Sequence, residues 1–476
     1  MRKIAMLIIG FSALMIGVDV VRTLWLGKSA APNEAYTNLT EIPARTVANP
    51  KANGYFLLLG FSSRELSDPE QTGYEMWLEV EGSRGHRFFD YEQGSRVALQ
   101  VEDETLQALQ AWRAPDAAVQ LQALGAAPHS FFTQQAPLLD RYRRWMAMLF
   151  EDWGYGHPGC PRFADLAATH RLYVAEGFGL NVATGLDRLE KDLAAWRLVL
   201  AKARTLPLKV MAATVIQDDL VLLSQLLGSR DFDNALLPGL EPVVRPLTQA
   251  ERSLRWPIQN EFVLGVTRFR QQFVGTNGGR REESEKNKRW LAEAAALPED
   301  AFQKLDVPLP ANTFSKGPAQ IQKALNLYAT YYEAVIKAAD DPASPLPKLQ
   351  DFVQASHRTF IDSLLNPADT VFASPGFEQA WEPFAQLMLE TDARLRLAAL
   401  QARIRKPLPN QQIAARIAQA GLGYYDPFSG LPMLWNPTAG RLYSVGKDGR
   451  DDEGDERRDI SVAVLFPASA QPGTGR

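Results

Sequence analysis

"GLDRLEKDLAAWRLVLAKA", residues 185–203, sets apolar side chains at positions 186, 189, 193, 196 and 200. That three-four spacing is the period of an α-helix with one buried face. The neighbouring stretches repeat it. "APLLDRYRRWMAMLFEDW" (136–153) places Leu138, Tyr142, Trp145 or Met146, and Leu149 on one side. "KVMAATVIQDDLVLLSQLLGS" (209–229) follows, with Pro207 at its start and Gly228 near its stop. The pattern predicts a mainly α fold.

Further along, "LTQAERSLRWPIQNEFVLGVTRFRQQF" (247–273) reads as helix broken near Pro257. "SKGPAQIQKALNLYATYYEAVIKAA" (315–339), capped by Ser315, carries Ile321, Leu325, Tyr328, Tyr332 and Val335 as one stripe, which predicts core packing. Two more helices fall within 344–365 and 376–406, the second with Pro383 in its early turns. Upstream, Asp68-Pro69 is a helix start with Asp as N-cap. "NGYFLLLGF" (53–61) is a short apolar run, either a buried strand or a segment packed on the helices. No fixed-period repeat is visible, so a regular solenoid is not expected.

The chain has 476 residues, 46% of them hydrophobic, enough for a large core. Its net charge of −4 argues against nucleic acid, which demands a basic face. The one cysteine, Cys160, precludes a disulfide within the chain, and five scattered histidines argue against a His/Cys zinc cluster.

At the amino terminus, Ile4 to Val18 contains no charged residue. That stretch alone would span about 22 Å as a helix, and about 34 Å if continued to Leu26, against a hydrocarbon core of roughly 30 Å. The longer span encloses Asp19 and Arg22, which sit at i, i+3; Arg22 can snorkel and Trp25 can lie in the interfacial belt. A signal anchor is favoured over a signal peptide cleaved near Ser29-Ala30-Ala31. The expectation is a single-pass inner-membrane protein of Gram-negative type, its bulk in the periplasm.

Catalytic patterns are sparse. "GTNGGRREESEKNKR" (275–289) lacks the spacing of a phosphate-binding loop and reads as an exposed mobile loop. "HPGC" (157–160) pairs Cys160 with a histidine, but Pro158 and Gly159 make a turn with no third orienting group, so no nucleophile is assigned. His170-Arg171 and Glu251-Arg252 read as structural contacts between helices. Asp218 and Asp219 are adjacent in a helix and point in different directions, so they form no dyad. No catalytic or cofactor-binding residue is assigned.

The carboxyl-terminal part changes character. Asp426-Pro427-Phe428-Ser429-Gly430 is turn chemistry. "LPMLWN" and "RLYSVG", joined by Pro437–Gly440, read as a β-hairpin with Trp435 and Tyr443 suited to cross-strand packing. A hairpin alone is marginal, so the helix "NQQIAARIAQAG" (410–421) and the one ending near Arg405 should support it.

This order, a helix, then D-P-F-x-G-x-P, then Y-S-x-G-x-D-G-x-D-D, resembles the carboxy-terminal module of type II secretion major pseudopilins, and more closely an extension shared by uncharacterised bacterial membrane-anchored proteins. The rest of the chain faintly resembles an uncharacterised proteobacterial family. The pseudopilin likeness covers only about the last tenth of the chain, and the prepilin cleavage site with its glutamate is absent, so no pilin subunit is expected. The likeness implies calcium at Asp448, Asp451, Asp452 and Asp459. On composition alone, residues 447–459 hold seven acidic and four basic side chains, a net of −3, in which Arg450, Arg457 and Arg458 compete for the carboxylates. The register does not match an EF-hand, with Arg450 and Glu453 at the third and sixth positions from Asp448.

The expected organisation is a membrane helix over 1–27, a linker over 28–53, an irregular multi-helix body over 54–405, a helix and β-hairpin module over 406–465, and a disordered tail over 466–476. The expected role is a non-enzymatic envelope scaffold or assembly partner, linked to secretion or pilus systems, with the membrane and other envelope proteins as partners. The alternative is a hydrolase-like envelope enzyme without a recognisable local motif.

Overall fold

In a computed structural model, the described residues are 31–64, 66–82, 119–121, 133, 135–157, 159–229, 232–274, 282–299, 301–302, 305, 318–341, 344–348, 351–352, 380–405 and 410–464. They contain fourteen α-helices and one small sheet. The expected membrane helix, the tail over 466–476 and the cap at Ser315 lie outside them. So does most of the helix expected over 344–365.

In chain order the helices are α1 (Glu34–Thr40), α2 (Gly54–Leu59), α3 (Pro69–Gly82), α4 (Ala136–Met146), α5 (Phe163–Leu180), α6 (Val182–Lys202) and α7 (Leu206–Gly228). They continue with α8 (Leu237–Val244), α9 (Gln249–Arg252), α10 (Arg255–Val274), α11 (Glu282–Ala294), α12 (Pro318–Ala339), α13 (Glu382–Ile404) and α14 (Asn410–Gln419). The strands are β1 (Leu434–Asn436), β2 (Arg441–Ser444) and β3 (Ile460–Ala463).

The chain forms two compact units that interleave in sequence. The smaller comprises residues 1–43, 258–277 and 302–381. In it α1 lies on α12. Asn33 caps α1 by accepting from Tyr36 N, and its own N–H donates to Asn326 Oδ1 at 3.1 Å. The aromatic stripe on α12 is core, as its spacing predicts: Tyr332 stacks near Tyr328 (5.0 Å between centroids), Phe262 (5.4 Å) and Trp381 (6.0 Å). The stretch 28–53, read as a linker, thus contains a helix whose Tyr36 and Leu39 are buried.

The larger unit comprises residues 44–257, 278–301 and 382–476. Its centre is α5, α6 and α7, each packed on the next, with α13 against α7. The run at 53–61 resolves as helix α2, buried at every position, with Asn53 as N-cap. It crosses α3 at Gly60 and Gly73, where a Cβ would overlap the Pro69 and Phe56 carbonyl oxygens respectively. Asp68 caps α3 through Gln71 N, as expected.

The segment 247–273 breaks at Ser253 and Leu254, between α9 and α10, and Pro257 sits in the first turn of α10, where it lacks no helical bond. Part of the expected mobile loop is helix: α11 begins at Glu282, while 275–281 lie outside the described residues. Helix α7 is the one described helix long and apolar enough to cross a membrane, and 78% of its apolar window is buried inside this fold.

At the carboxyl end the expected hairpin gains a third strand. The sheet order is β1-β2-β3, all antiparallel. The register pairs Leu434 with Tyr443 and Trp435 with Leu442, so Trp435 and Tyr443 are not opposite one another. Trp435 and Leu442 join the core face with Met433, Ile460 and Val462, packed on Leu397, Leu400 and Ile404 of α13 and on Ile413 and Ile417 of α14. This is the support a small sheet requires.

Candidate functional site

The expected cation loop runs from the end of β2 to the start of β3. Asp426 anchors its base. Buried at 2% exposure, it accepts from Ser444 Oγ at 2.8 Å, Val445 N at 3.1 Å and Phe428 N at 3.0 Å, tying the D-P-F turn to the end of β2. The loop then turns through Gly449 (φ 67°), Glu453 (φ 58°) and Gly454 (φ 84°). A left-handed glutamate is uncommon, and here its N–H is held by Asp451 Oδ1 at 2.9 Å.

The four aspartates named from the resemblance sit differently. Asp448 is exposed and accepts from Arg450 N at 3.1 Å in its own turn. Asp451 accepts from Tyr443 Oη at 3.0 Å, and burial together with that bond pushes the Tyr443 hydroxyl well up. Asp452 pairs through Oδ1 with Arg458 at 3.0 Å, so that arginine does compete for a loop carboxylate. Asp459 is buried and accepts from Gly454 N through Oδ2 at 2.8 Å. Burial and the charges of Asp452 and Asp451 raise its carboxyl, and the Gly454 bond offsets this only in part. Asp452 Oδ2 and Asp459 Oδ1 are buried and accept no hydrogen bond. No three carboxylates of this loop are among the described groups whose ligand atoms converge within 4.8 Å of one another.

A second polar centre lies inside the helical body, and no local motif announces it. His170 of α5 is fully buried among three aspartates. Its Nδ1 lies 3.3 Å from Asp192 Oδ2 on α6 and 3.7 Å from Asp219 Oδ1 on α7. Its Nε2 lies 3.7 Å from Asp218, which also pairs with Arg171. Asp218 and Asp219 do point apart, as their adjacency predicts, but they address opposite edges of one imidazole. Tyr142 Oη donates to Asp192 Oδ1 at 2.5 Å and accepts from Trp196 Nε1 at 2.7 Å.

Burial opposes the charged His170 ring, yet bonds and charges from Asp192 and Asp218 outweigh it and raise its pKa. Burial, then the charge of Asp192 and a hydrogen bond shared with it, then the charge of Asp218, drive the Asp219 carboxyl well above the usual range. Among the described residues, His170, Asp192 and Asp219 are the group whose ligand atoms, all within 4.8 Å of one another, could share one metal ion. The sequence signal that could have found them is a pair of aspartates in the middle of a long apolar helix.

Two other polar groups singled out in the sequence have these contacts. His157 is buried against Trp77, its Nε2 3.0 Å from the Trp77 carbonyl, and Gly159 N donates to its Nδ1 at 3.1 Å. Glu251 serves Arg197 and Arg245.

Comparison of the chain with protein-family models, with curated proteins and with solved structures gives no match.

Proposed function

We propose that this chain is an envelope scaffold or assembly partner. In this reading its amino-terminal apolar run holds it in the inner membrane with its bulk in the periplasm, and it acts by docking other envelope proteins. The observation that carries the reading is the carboxyl-terminal module. It is clamped to α13 and α14 through a shared core, yet it leaves Leu422 and Leu431 exposed at 79% and 64% on either side of the D-P-F turn. Beside it an open groove of about 560 Å³ runs between α7, α13 and β3, with Leu220, Val221 and Val462 among its walls and Arg394 and Glu456 at its polar positions. An apolar module surface with a mixed polar rim suits a protein partner.

The same reading assigns calcium to the acidic loop, as the pseudopilin resemblance implies. Asp448, Asp451, Asp452 and Asp459 are the carboxylates the resemblance offers it, and the loop would have to draw them together around the ion, with main-chain carbonyls and water completing the six to eight oxygens calcium takes. Bound there, the ion supplies charge neutralisation, and the loop would stay fixed between β2 and β3.

The test is made in cells. A photo-crosslinking residue at Leu431 should give an adduct with a membrane or periplasmic protein, and Leu422→Asp should abolish it. Carbonate-washed membranes should retain the full-length chain. Release of the chain into the supernatant, or an adduct pattern indifferent to Leu422, would overturn the proposal.

A further inference from the structure

The geometry points to a buried metal site: we propose that Nδ1 of His170 and the carboxylates of Asp192 and Asp219 bind one divalent transition-metal ion of the zinc type, enclosed between α5, α6 and α7. This goes beyond the scaffold reading and is independent of the acidic loop.

Distances support it. Metal–nitrogen and metal–oxygen bonds of about 2.0–2.2 Å at a tetrahedral angle put neighbouring ligand atoms about 3.4 Å apart. His170 Nδ1 stands 3.3 Å from Asp192 Oδ2 and 3.7 Å from Asp219 Oδ1. The His170–Asp192 approach is within hydrogen-bond range, so a metal ion would take the place of the proton in that bond. Asp219 is fully buried on a mostly apolar helix, and its carboxylate oxygens receive no N–H or hydroxyl donor; the polar group it meets is the Asp192 carboxyl, with which it can share a proton. One oxygen completes the His170–Asp192 edge, giving three protein ligands, and a water molecule would take the fourth position.

The outer contacts are those of a metal site. Asp218 faces the far nitrogen of His170 at 3.7 Å and is itself held by Arg171, so a carboxylate backs the ring on the side away from the ion. Tyr142 donates to the Asp192 oxygen that faces away from His170, and Trp196 donates to Tyr142.

Charge balance favours the exchange. Three buried carboxylates, Asp192, Asp218 and Asp219, face Arg171 and one imidazole. Two protons, one on His170 and one on Asp219, bring the group to neutrality. One divalent ion on a neutral imidazole does the same while also ligating an Asp219 oxygen. A ligand set of one imidazole and two carboxylates suits zinc, cobalt or manganese rather than copper(I), which prefers sulfur. With every ligand buried, the ion enters as the helices assemble, and it resists chelators until the fold opens.

The experiment uses the full-length chain carrying Asp452→Asn and Asp459→Asn, so that the acidic loop is silent. The chain is unfolded in denaturant with chelator, then refolded with cobalt(II). The expected result is stoichiometric cobalt that survives dialysis against chelator, with visible ligand-field absorption of a four-coordinate ion. Tyr142→Phe should weaken retention by about 10–100-fold without loss of helix content. Asp219→Asn should abolish it. Elemental analysis of the chain purified without chelator supplies a readout that does not depend on the variants refolding, and it should show one tightly held transition metal. Substoichiometric metal in both preparations, or cobalt retained equally by Asp219→Asn, overturns the proposal.

Discussion

Arg197 and Glu251 meet through two parallel hydrogen bonds, Nε to Oε1 at 2.8 Å and Nη2 to Oε2 at 2.9 Å, with both side chains almost wholly buried. The same guanidinium donates Nη1 to the carbonyls of Val243 and Arg245, and Glu251 closes a capping box with Thr248. One ion pair therefore fastens the turn between α8 and α9 onto α6.

Removing Arg197 leaves Glu251 with the half-exposed Arg245 alone. Arg197→Met should cost about 3 kcal/mol in urea denaturation, because a buried carboxylate loses its buried counter-charge. Arg197→Met with Glu251→Leu should recover part of that loss. A double variant as unstable as the sum of the two singles would show that the pair is not the unit.

Two groups give the larger unit a defined response to acid. Burial lowers the His157 pKa from 6.5 to about 4, so below pH 6.5 the unfolded chain takes up a proton that the folded chain refuses. Stability should then fall as pH drops from 6.5 to 4, by about 3 kcal/mol in total. Glu251 adds a later loss. Burial would raise its carboxyl, but hydrogen bonds from Arg245, Arg197 and Thr248 win and hold it down to about 2. Its contribution is complete above pH 4.5 and disappears as pH falls through 2. Urea midpoints of His157→Gln measured across pH 4–7 should lose most of the first slope; a slope equal to the parent's would refute the assignment.

The α2–α3 crossing admits no side chain. Gly73→Ala should destabilise by about 3 kcal/mol or more, since its Cβ would meet the Phe56 main chain rather than a side chain that can swing away. Gly265→Ala on α10 is the control: nothing lies within 4 Å of its Cβ, and alanine should stabilise that helix by about 0.5–1 kcal/mol. Comparable losses at both positions would count against the close approach.

Calcium at about 100 times its dissociation constant should stabilise the carboxyl-terminal module by about 2.7 kcal/mol. The melting midpoint of the full-length chain should rise with calcium and fall with chelator, and Asp459→Asn should erase the difference. An unchanged midpoint would end the calcium proposal.

Much of the helical body is legible in sequence because α6 and α12 each bury one face, and a buried face leaves a period. The β1–β2 pair is legible from Pro437–Gly440 between two β-rich runs. Helix α2 is not, because six consecutive buried residues have no polar side to mark the period. Strand β3 follows a charge run that reads as solvated tail. The His170 centre is hidden for another reason. Its ligands come from three helices, with His170 and Asp192 separated by 22 positions, and each residue viewed alone looks like an ordinary helical polar group.

Helix α1 finds its partner very late. Asn33 bonds to Asn326, 293 positions downstream. At ribosomal speeds of about 5–20 residues per second, Phe262, which packs on Tyr36, and then Asn326 emerge roughly 10–60 s after this segment. Through that interval the segment from 33 to 40 is unsheltered, and a nascent-chain trap should find a chaperone there.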